Sequence, residues 1–481
     1  MEVIVIGAGI GGILGALTMK ILGYDVFIFE RGARIGGCAT TFVREGFRYN
    51  AGATTLPGLK PGFPMHRLLT LFGMEDKVKS ILLPEDLIVE VSFTPERSFC
   101  IFSDIERTCE EVARLFPAKG HKKFFAFVER ATKDILATPV EYPLNGGLFS
   151  PLMVLKAMSK LQGLKLLPYL ALMKKGALSL LSSFYDSVPS ELLSYFRAQT
   201  MIVGQVELEK ANALAFALSL GYFFTGISHC LRGVGGFLEA LAREVQISLN
   251  SQVESVEKKD RGYVVHLKDG KLYAQNVLLS IPILENLSMF SSNQDIVKHF
   301  SRFTPKLSPY SAFVVYGRMK RKALENFKAK HALIITDEHQ KGWTSGYLYL
   351  SLLEQENPDF VTFTISTHTP LKLWNALNKD KIKEMKKLLE SRIVYTLIKR
   401  YFLNPNDIFK VFSATPYTFK RYVNRFSLGG FTASNDTPIW SIPNNFTPFQ
   451  GLYLTCDHAF AGQGFIGIAL GCLNLYQGLK G

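Results

Sequence analysis

Residues 1–37 run through a strand, a glycine turn, a helix, a second strand and an acid, the order that a nucleotide-binding βαβ unit requires. The apolar run Val3-Ile4-Val5-Ile6 leads into Gly7-Ala8-Gly9-Ile10-Gly11-Gly12. A helical stretch, Val26-Phe27-Ile28-Phe29 and then Glu30 follow. Gly7 lets the chain turn sharply off the strand. Gly9 has no Cβ, so backbone can approach a pyrophosphate, and Gly12 lets the helix pack close to the sheet. The helix N-terminus offers free N–H groups and the positive end of a dipole to phosphate. Glu30 lies about 20 residues beyond the turn, where an acid takes ribose hydroxyls. A glycine pattern alone signals only a turn. With strand, helix and acid in place, residues Gly7 to Gly12, Glu30 and the adjoining Arg31 are assigned to a dinucleotide. This unit by itself does not separate NAD from FAD.

The following residues point to FAD. Arg34-Ile35-Gly36-Gly37 comes directly after the acid. Arg34 is placed to meet the pyrophosphate, and Gly36 and Gly37 allow a second close backbone pass. This extension is similar to that of FAD enzymes of the glutathione-reductase type, in which FAD lies extended through the domain. The implied fold class is α/β: an FAD-binding Rossmann-like domain of that type with a second, mixed α+β substrate lobe.

A chain of 481 residues exceeds one hydrophobic core, so at least two lobes are expected. Hydrophobic residues make up 47% and charged residues 20%, which excludes a disordered chain. The net charge of +14 admits nucleic acid, an anionic membrane face or no specific partner. No nucleic-acid motif accompanies it, and nucleic acid is set aside. The cysteines, Cys38, Cys100, Cys109, Cys230, Cys456 and Cys472, form no CxxC pair and no metal-ligand spacing with histidine. Reduced thiols, no metal and a cytoplasmic protein without a signal peptide are the expectation. No apolar run is long enough to span a bilayer.

Along the chain, residues 44–57 return from the second strand toward the nucleotide. From Met65 to Thr225 the pattern becomes mostly helical. Within it, Pro143 to Tyr185 has no acid but carries Lys156, Lys160, Lys165, Lys174 and Lys175 among Leu, Met and Phe, and Gly163 and Pro168 break it into short helices. Two readings are open: core helices with snorkelling lysines, or a surface resting on anionic lipid. The chain regains α/β character at Gly233-Val234-Gly235-Gly236, which precedes a helix over Phe237 to Glu244. Asp269-Gly270 reads as a hairpin turn, and Val277 to Pro282 as a buried strand. Val361, Phe363 and Ile365 suggest a strand, and Ile382, Met385, Leu389, Ile393 and Leu397 an amphipathic helix. The division expected is a discontinuous FAD domain (1–64, 226–289 and 412–481) and a substrate-binding, membrane-facing lobe (65–225 and 290–411). Val253 takes the position that usually meets adenine through its backbone.

The last block, Gly451 to Gly471, is a strand, Asp457 at its end, a glycine turn through Gly464, and a helix opening with Phe465 and Ile466. An acid there can bind polyol hydroxyls, and the helix N-terminus can face the flavin pyrimidine, where negative charge builds up.

With these two ends, the chain resembles the phytoene desaturase, carotenoid isomerase and retinol saturase group of flavin amine-oxidase-like enzymes. The residues that carry the resemblance are Gly7 to Gly12, Glu30, Gly36-Gly37, Phe47 to Gly52, Gly235-Gly236, Thr415 to Tyr422 and Gly451 to Gly471. They span essentially the whole chain, and Ala461-Gly462-Gln463-Gly464 is closer to the isomerase and saturase members. The resemblance implies FAD and redox chemistry at carbon–carbon bonds of a long isoprenoid: desaturation, saturation or cis–trans isomerisation. It also implies an apolar tunnel and peripheral contact with an anionic membrane.

Four departures stand near the expected flavin. Asn50 takes the place of a frequent Asp, Cys456 of a glycine, Ala461 of a common proline, and His458 of a small residue. No residue identifies itself as a catalytic base, and His458 is read as a possible flavin neighbour. Two alternatives differ in chemistry: an amine or porphyrinogen oxidase, whose cue would be Arg where Cys38 follows the double glycine, and a prenyl- or lipid-binding relative that has lost FAD. Intact Gly7, Gly9, Gly12, Glu30 and Asp457 oppose that loss.

Overall fold

The computed structural model describes residues 2–138, 166–336, 342–437 and 441–480. Its organising element is a five-stranded parallel sheet with the spatial order Leu452–Leu454, Asn276–Leu279, Glu2–Ile6, Asp25–Phe29 and Gln246–Ser248. The central strand is buried on both faces, which is why Val3 to Ile6 is continuously apolar rather than alternating. Val3 and Val5 point to the side where Ala16 and Met19 of the helix Ile10–Ile21 and Leu475 of the helix Gly464–Leu479 pack. Ile4 and Ile6 point the other way, onto Val256, Tyr263 and Val265. These belong to a three-stranded antiparallel meander, Val253–Lys259, Gly262–Leu267 and Gly270–Ala274. A parallel sheet sandwiched between helices and a meander is a Rossmann-like arrangement of α/β class. The turn expected at Asp269-Gly270 closes the last hairpin, with Gly270 as the first strand residue.

The second sheet has seven strands in the order Ile408–Ala414, Tyr310–Lys320, Phe360–Pro370, Tyr347–Glu354, His331–Ile335, Leu87–Ser92 and Ser98–Phe102. All neighbours are antiparallel except His331–Ile335 with Leu87–Ser92. One face packs Phe313, Val315, Phe363 and Ile365 on Trp374 and on Leu389, Ile393 and Leu397 of the helix Lys379–Arg400. The expected amphipathic helix is therefore present, with its outer residues solvated. The other face, through Leu333, Ile335, Tyr347 and Tyr349, joins a helical cluster that includes Phe124, Phe196 and Phe216.

The described part of the stretch from Met65 to Thr225 is mostly helical, as expected, but it also contributes Leu87–Ser92 and Ser98–Phe102, which form the edge of the seven-stranded sheet. Both are short and buried almost throughout, mostly apolar but for Glu90 and Ser92 in the first and Ser98 in the second. Pro168 lies in the first turn of the short helix Leu167–Leu170, where proline is tolerated, and the stretch that it is expected to divide lies, up to residue 165, outside the described residues. Gly163, Lys156, Lys160 and Lys165 lie outside the described residues. Among the described residues, no helix is long and apolar enough to cross a membrane.

Candidate functional site

The C-terminal ends of three parallel strands lie along one edge of the five-stranded sheet: Glu2–Ile6 and Asp25–Phe29 are adjacent, and Leu452–Leu454 is separated from them by Asn276–Leu279. Gly7 follows the strand Glu2–Ile6 with φ +96°, a left-handed turn that favours glycine. The helix Ile10–Ile21 then starts from Gly9, and no side chain caps its N-terminus. Glu30 follows the strand Asp25–Phe29 and folds back over this turn, accepting from Ala8 N at 2.8 Å and Gly32 N at 2.7 Å. Gly36 donates to Ala8 O at 2.7 Å and bridges Gly9 in parallel fashion, so the double glycine is laid directly against the first turn. Gly36 and Gly37 both have positive φ. Arg34 is exposed, while Arg31 donates to Arg421 O at 3.2 Å.

The glycines divide their work differently from the expectation. A Cβ on Gly11 would lie 1.7 Å from Thr455 O, and one on Gly12 would lie 1.9 Å from Gly7 O. Helix-to-sheet closeness is thus set by Gly11, and Gly12 accommodates the carbonyl of the turn itself. A Cβ on Gly9 would meet only Ser280 Oγ, at 3.9 Å. The protein itself does not need a glycine there, and Gly9 has an ordinary φ of −71°. Open space beside an uncapped helix N-terminus and two converging backbone passes can accept a phosphate closely. That is the fit expected for the pyrophosphate of a dinucleotide.

The third strand end carries Asp457. It is buried, after Leu452–Leu454, and its carboxylate pairs with Arg425, itself mostly buried. Burial pushes the Asp457 carboxyl up, but the guanidinium overrides it and holds the pKa below the usual value. Burial works against the Arg425 charge as well, and Asp457 more than compensates, so its pKa is raised. Glu285 stands in the same field and accepts from Phe426 N at 2.9 Å and Ser427 N at 3.2 Å. Arg425 is a site residue that sequence reasoning missed. It follows the helix Pro416–Val423, whose Thr415 capping box and left-handed Asn424 end turn the chain toward Asp457. The signal was present only as the Thr415 to Tyr422 block upstream of it.

His458 is fully buried; its Nδ1 accepts from Leu284 N at 3.4 Å, and burial lowers its pKa to about 4. It is a neutral imidazole, with Nε2 lacking a protein partner. Cys456 is also buried, and burial pushes its thiol up to about 12. The Cys38 thiol is raised by burial despite the opposing effect of Arg425. All six cysteines are free. Beyond Asp457, the helix Gly464–Leu479 begins with Gly464 exposed, at φ +72°, and without a side-chain cap. Phe465 is buried and Ile466 half-buried. Val253 is buried at the start of the meander, paired with Leu267. The sheet edge thus gathers the turn Gly7–Gly12, Glu30, Gly36-Gly37 and Asp457. The Val253 backbone stands in the adjoining meander.

Comparison with known proteins gives the fold and the family. Prolycopene isomerase 1 of an Oncidium hybrid cultivar is 23% identical over 97% of this chain and 82% of its own length. A 4,4'-diapophytoene desaturase of Methylomonas is 26% identical over 53% of this chain and 48% of its own. Among solved structures, an oxidoreductase from Methanosarcina mazei superposes with TM-score 0.60 at 16% identity, covering 99% of both chains. A cofactor-site variant of putrescine oxidase superposes with TM-score 0.65 at 12% identity, covering 100% of this chain and 98% of its own. These structural likenesses establish the fold. Residues 10–460 match the profile described as flavin containing amine oxidoreductase, so the chain belongs to that family of FAD-dependent enzymes.

Proposed function

We propose that this protein acts on carbon–carbon bonds of a long isoprenoid polyene, by desaturation, saturation or cis–trans isomerisation. The observation that carries the reading is the end-to-end likeness to a prolycopene isomerase, over 97% of the chain. It is supported by a retinol 13,14-reductase of Danio rerio, 26% identical over 28% of this chain and 22% of its own.

The residue roles follow from chemistry. Glu30 would hold the adenosine ribose, and Gly7, Ala8, Gly9, Ile10, Gly11 and Gly12 would present their backbone to the pyrophosphate. Arg31, Arg34, Gly36 and Gly37 would flank it, and the Val253 backbone would meet adenine. Asp457 would accept from polyol hydroxyls, with Arg425 fixing its charge and direction. The N-terminus at Gly464, Phe465 and Ile466 would place its N–H groups toward the flavin pyrimidine. FAD, when bound, supplies hydride acceptance or donation. The chain's own part is to bind, to orient and to exclude water. His458, neutral and enclosed, is a hydrogen-bonding group for this environment, and no side chain is assigned as a catalytic base.

The FAD domain would comprise 1–64, 226–289 and 412–481, with the remainder binding substrate. A polyene insoluble in water must arrive from lipid, so peripheral attachment to an anionic bilayer belongs to the same proposal. Leu170 and Leu178 are exposed beside exposed Lys174 and half-buried Lys175. The rest of the basic segment from residue 148 lies mostly outside the described residues.

The test is incubation of FAD-loaded protein with poly-cis and all-trans carotenoids and with retinol in anionic liposomes, under reducing and oxidising conditions. Chromatography should show a change in double-bond number or geometry. No change with any polyene, alongside turnover of an amine or porphyrinogen, would replace this reading.

A further inference from the structure

Glu85, His229 and His331 come from three distant parts of the chain and meet in the interior. Glu85 follows the strand Leu82–Pro84, which pairs with Ser228–Cys230, the strand carrying His229. Its backbone N donates to Ile227 O at 3.2 Å. His331 opens the strand His331–Ile335 opposite Ser351. One potential ligand atom from each side chain lies within 4.8 Å of the others. His331 and His229 are 1% and 3% exposed, and the Glu85 side chain 9%.

What sets this group apart is that three of its polar atoms have no hydrogen-bond partner. Both Glu85 carboxylate oxygens and His331 Nε2 are buried without a hydrogen-bond partner. Such atoms ordinarily cost stability unless something satisfies them. His331 Nε2 and Glu85 Oε2 stand 3.5 Å apart. Two ligands on a tetrahedral ion with bonds of about 2.1 Å are separated by about 3.4 Å. The other nitrogen, His331 Nδ1, is engaged by Ser351 Oγ at 2.8 Å, and that hydroxyl donates to Thr54 Oγ1 at 2.8 Å. An imidazole anchored through one nitrogen presents the other to a metal in a fixed direction. Tyr349 stacks on the same ring, with centroids 6.0 Å apart.

We infer that Glu85, His229 and His331 form a binding site for one divalent first-row transition ion, zinc(II) or iron(II). Two imidazoles and one carboxylate suit both ions and leave positions open for water or another small ligand. Burial now holds all three groups toward their uncharged forms, with Glu85 raised to about 7, His229 lowered to about 4 and His331 to about 3. A dication would favour the carboxylate in the same enclosure. The site ties the Leu82–Pro84 and Ser228–Cys230 ladder to the start of His331–Ile335, an interior strand of the seven-stranded sheet. Thr54 connects it to the segment that reaches the nucleotide-binding end, where Ala51 N donates to Thr40 O at 2.9 Å.

The test uses full-length, FAD-loaded protein stripped with a chelator and titrated with zinc(II), with iron(II) under anaerobic conditions, and with cobalt(II) as a spectroscopic probe. Uptake of about one ion per chain is expected, with visible cobalt bands beyond the flavin absorption. Glu85→Gln should abolish stoichiometric uptake while retaining FAD. Ser351→Ala, which leaves all three ligands in place, should weaken affinity about tenfold to a hundredfold, and it serves if the first variant does not fold. Competition between zinc and iron identifies the preferred ion. A folded parent that takes up no ion would overturn the inference, leaving a carboxyl–imidazole contact only. Uptake unchanged in Ser351→Ala and in folded Glu85→Gln would overturn it too, since the ion would then sit elsewhere.

Discussion

Adding one methyl group at Gly9 and one at Gly11 should have opposite consequences, although the positions are two residues apart. In Gly11→Ala the new carbon would sit 1.7 Å from Thr455 O. An ordinary carbon–oxygen approach is about 3.3 Å or more, so helix and strand must separate by roughly 1.5 Å. That strains the bond from Thr455 N to Leu279 O, now 2.9 Å. Overpacking of this severity costs about 3 kcal/mol. In Gly9→Ala the nearest atom is Ser280 Oγ at 3.9 Å, and the backbone φ of −71° suits alanine. The remaining penalty is that alanine is a poorer N-cap than glycine, worth about 1 kcal/mol or less. Its cost should fall on the ligand. A methyl group in the open cradle displaces the pyrophosphate and weakens one or two charge-assisted bonds, each worth about 1.5–3 kcal/mol, so FAD affinity should fall about a hundredfold. Apoprotein melting and flavin-fluorescence titration separate the two effects. Gly11→Ala should melt about 3 °C lower, whereas Gly9→Ala melts close to the parent and loses FAD. An apo-Gly9→Ala as unstable as Gly11→Ala, or one that binds FAD like the parent, would refute the assignment.

Four further outcomes follow from the same sites. FAD should be non-covalent, since burial keeps the Cys456 thiol protonated to about pH 12; denaturation should release free yellow flavin, and flavin that stays with the polypeptide would contradict this. Glu30→Ala should weaken FAD retention and also lower apoprotein stability by about 1.5–3 kcal/mol, because Glu30 already holds Ala8 N and Gly32 N; equal FAD content in parent and variant would remove it from the site. Asp457, its folded pKa depressed by Arg425, contributes stability present above the unfolded value of about 3.9 and lost as pH falls through the lower folded value; in Arg425→Met burial prevails, the folded pKa rises, and stability should instead fall as pH increases, by about 3–5 kcal/mol in all, so urea midpoints for the variant at pH 4.5 and pH 8 that match would count against the pairing. Replacing Lys156, Lys160, Lys174 and Lys175 with Gln should reduce binding to anionic liposomes by about 1 kcal/mol per lysine near the surface at low salt while FAD stays bound; equal binding to neutral and anionic liposomes would place the membrane contact elsewhere.

The nucleotide end was legible because its signals are local. A glycine that must turn off a strand, a helix that must begin there and an acid that must end the next strand occupy fixed offsets, and one short window contains them all. The same holds for Asp457, which a strand and a glycine turn bracket. The pattern did not reveal which surface each glycine meets. Gly11 and Gly12 are neighbours on one helix, and only the position of Thr455 O, which arrives from the far end of the chain, shows that Gly11 faces the sheet. Leu87–Ser92 and Ser98–Phe102 were obscured for a different reason. Both are short and buried almost throughout, and the alternation of Val89, Glu90, Val91 and Ser92 spans only four residues, too few to stand out as a two-residue period.

Arg425 and the Glu85, His229 and His331 group mark where local reading ends. Arg425 has no partner within a helical turn, and its counter-ion stands at another strand end. Its role depends on Asn424 adopting φ 53° and redirecting the chain after a capped helix, a detail that no periodicity encodes. Glu85 lies in a short connection, and His229 in a three-residue strand. Neither segment has the close ligand spacing that signals a metal in sequence. What brings them together is strand pairing: Leu83 opposite His229, and His331 opposite Ser351. The cofactor end is written in the local covalent order of residues, whereas the buried polar group is written in sheet register. A one-residue slip of either ladder would turn the histidine to the opposite face and dissolve the group, while the turn Gly7–Gly12 would remain intact.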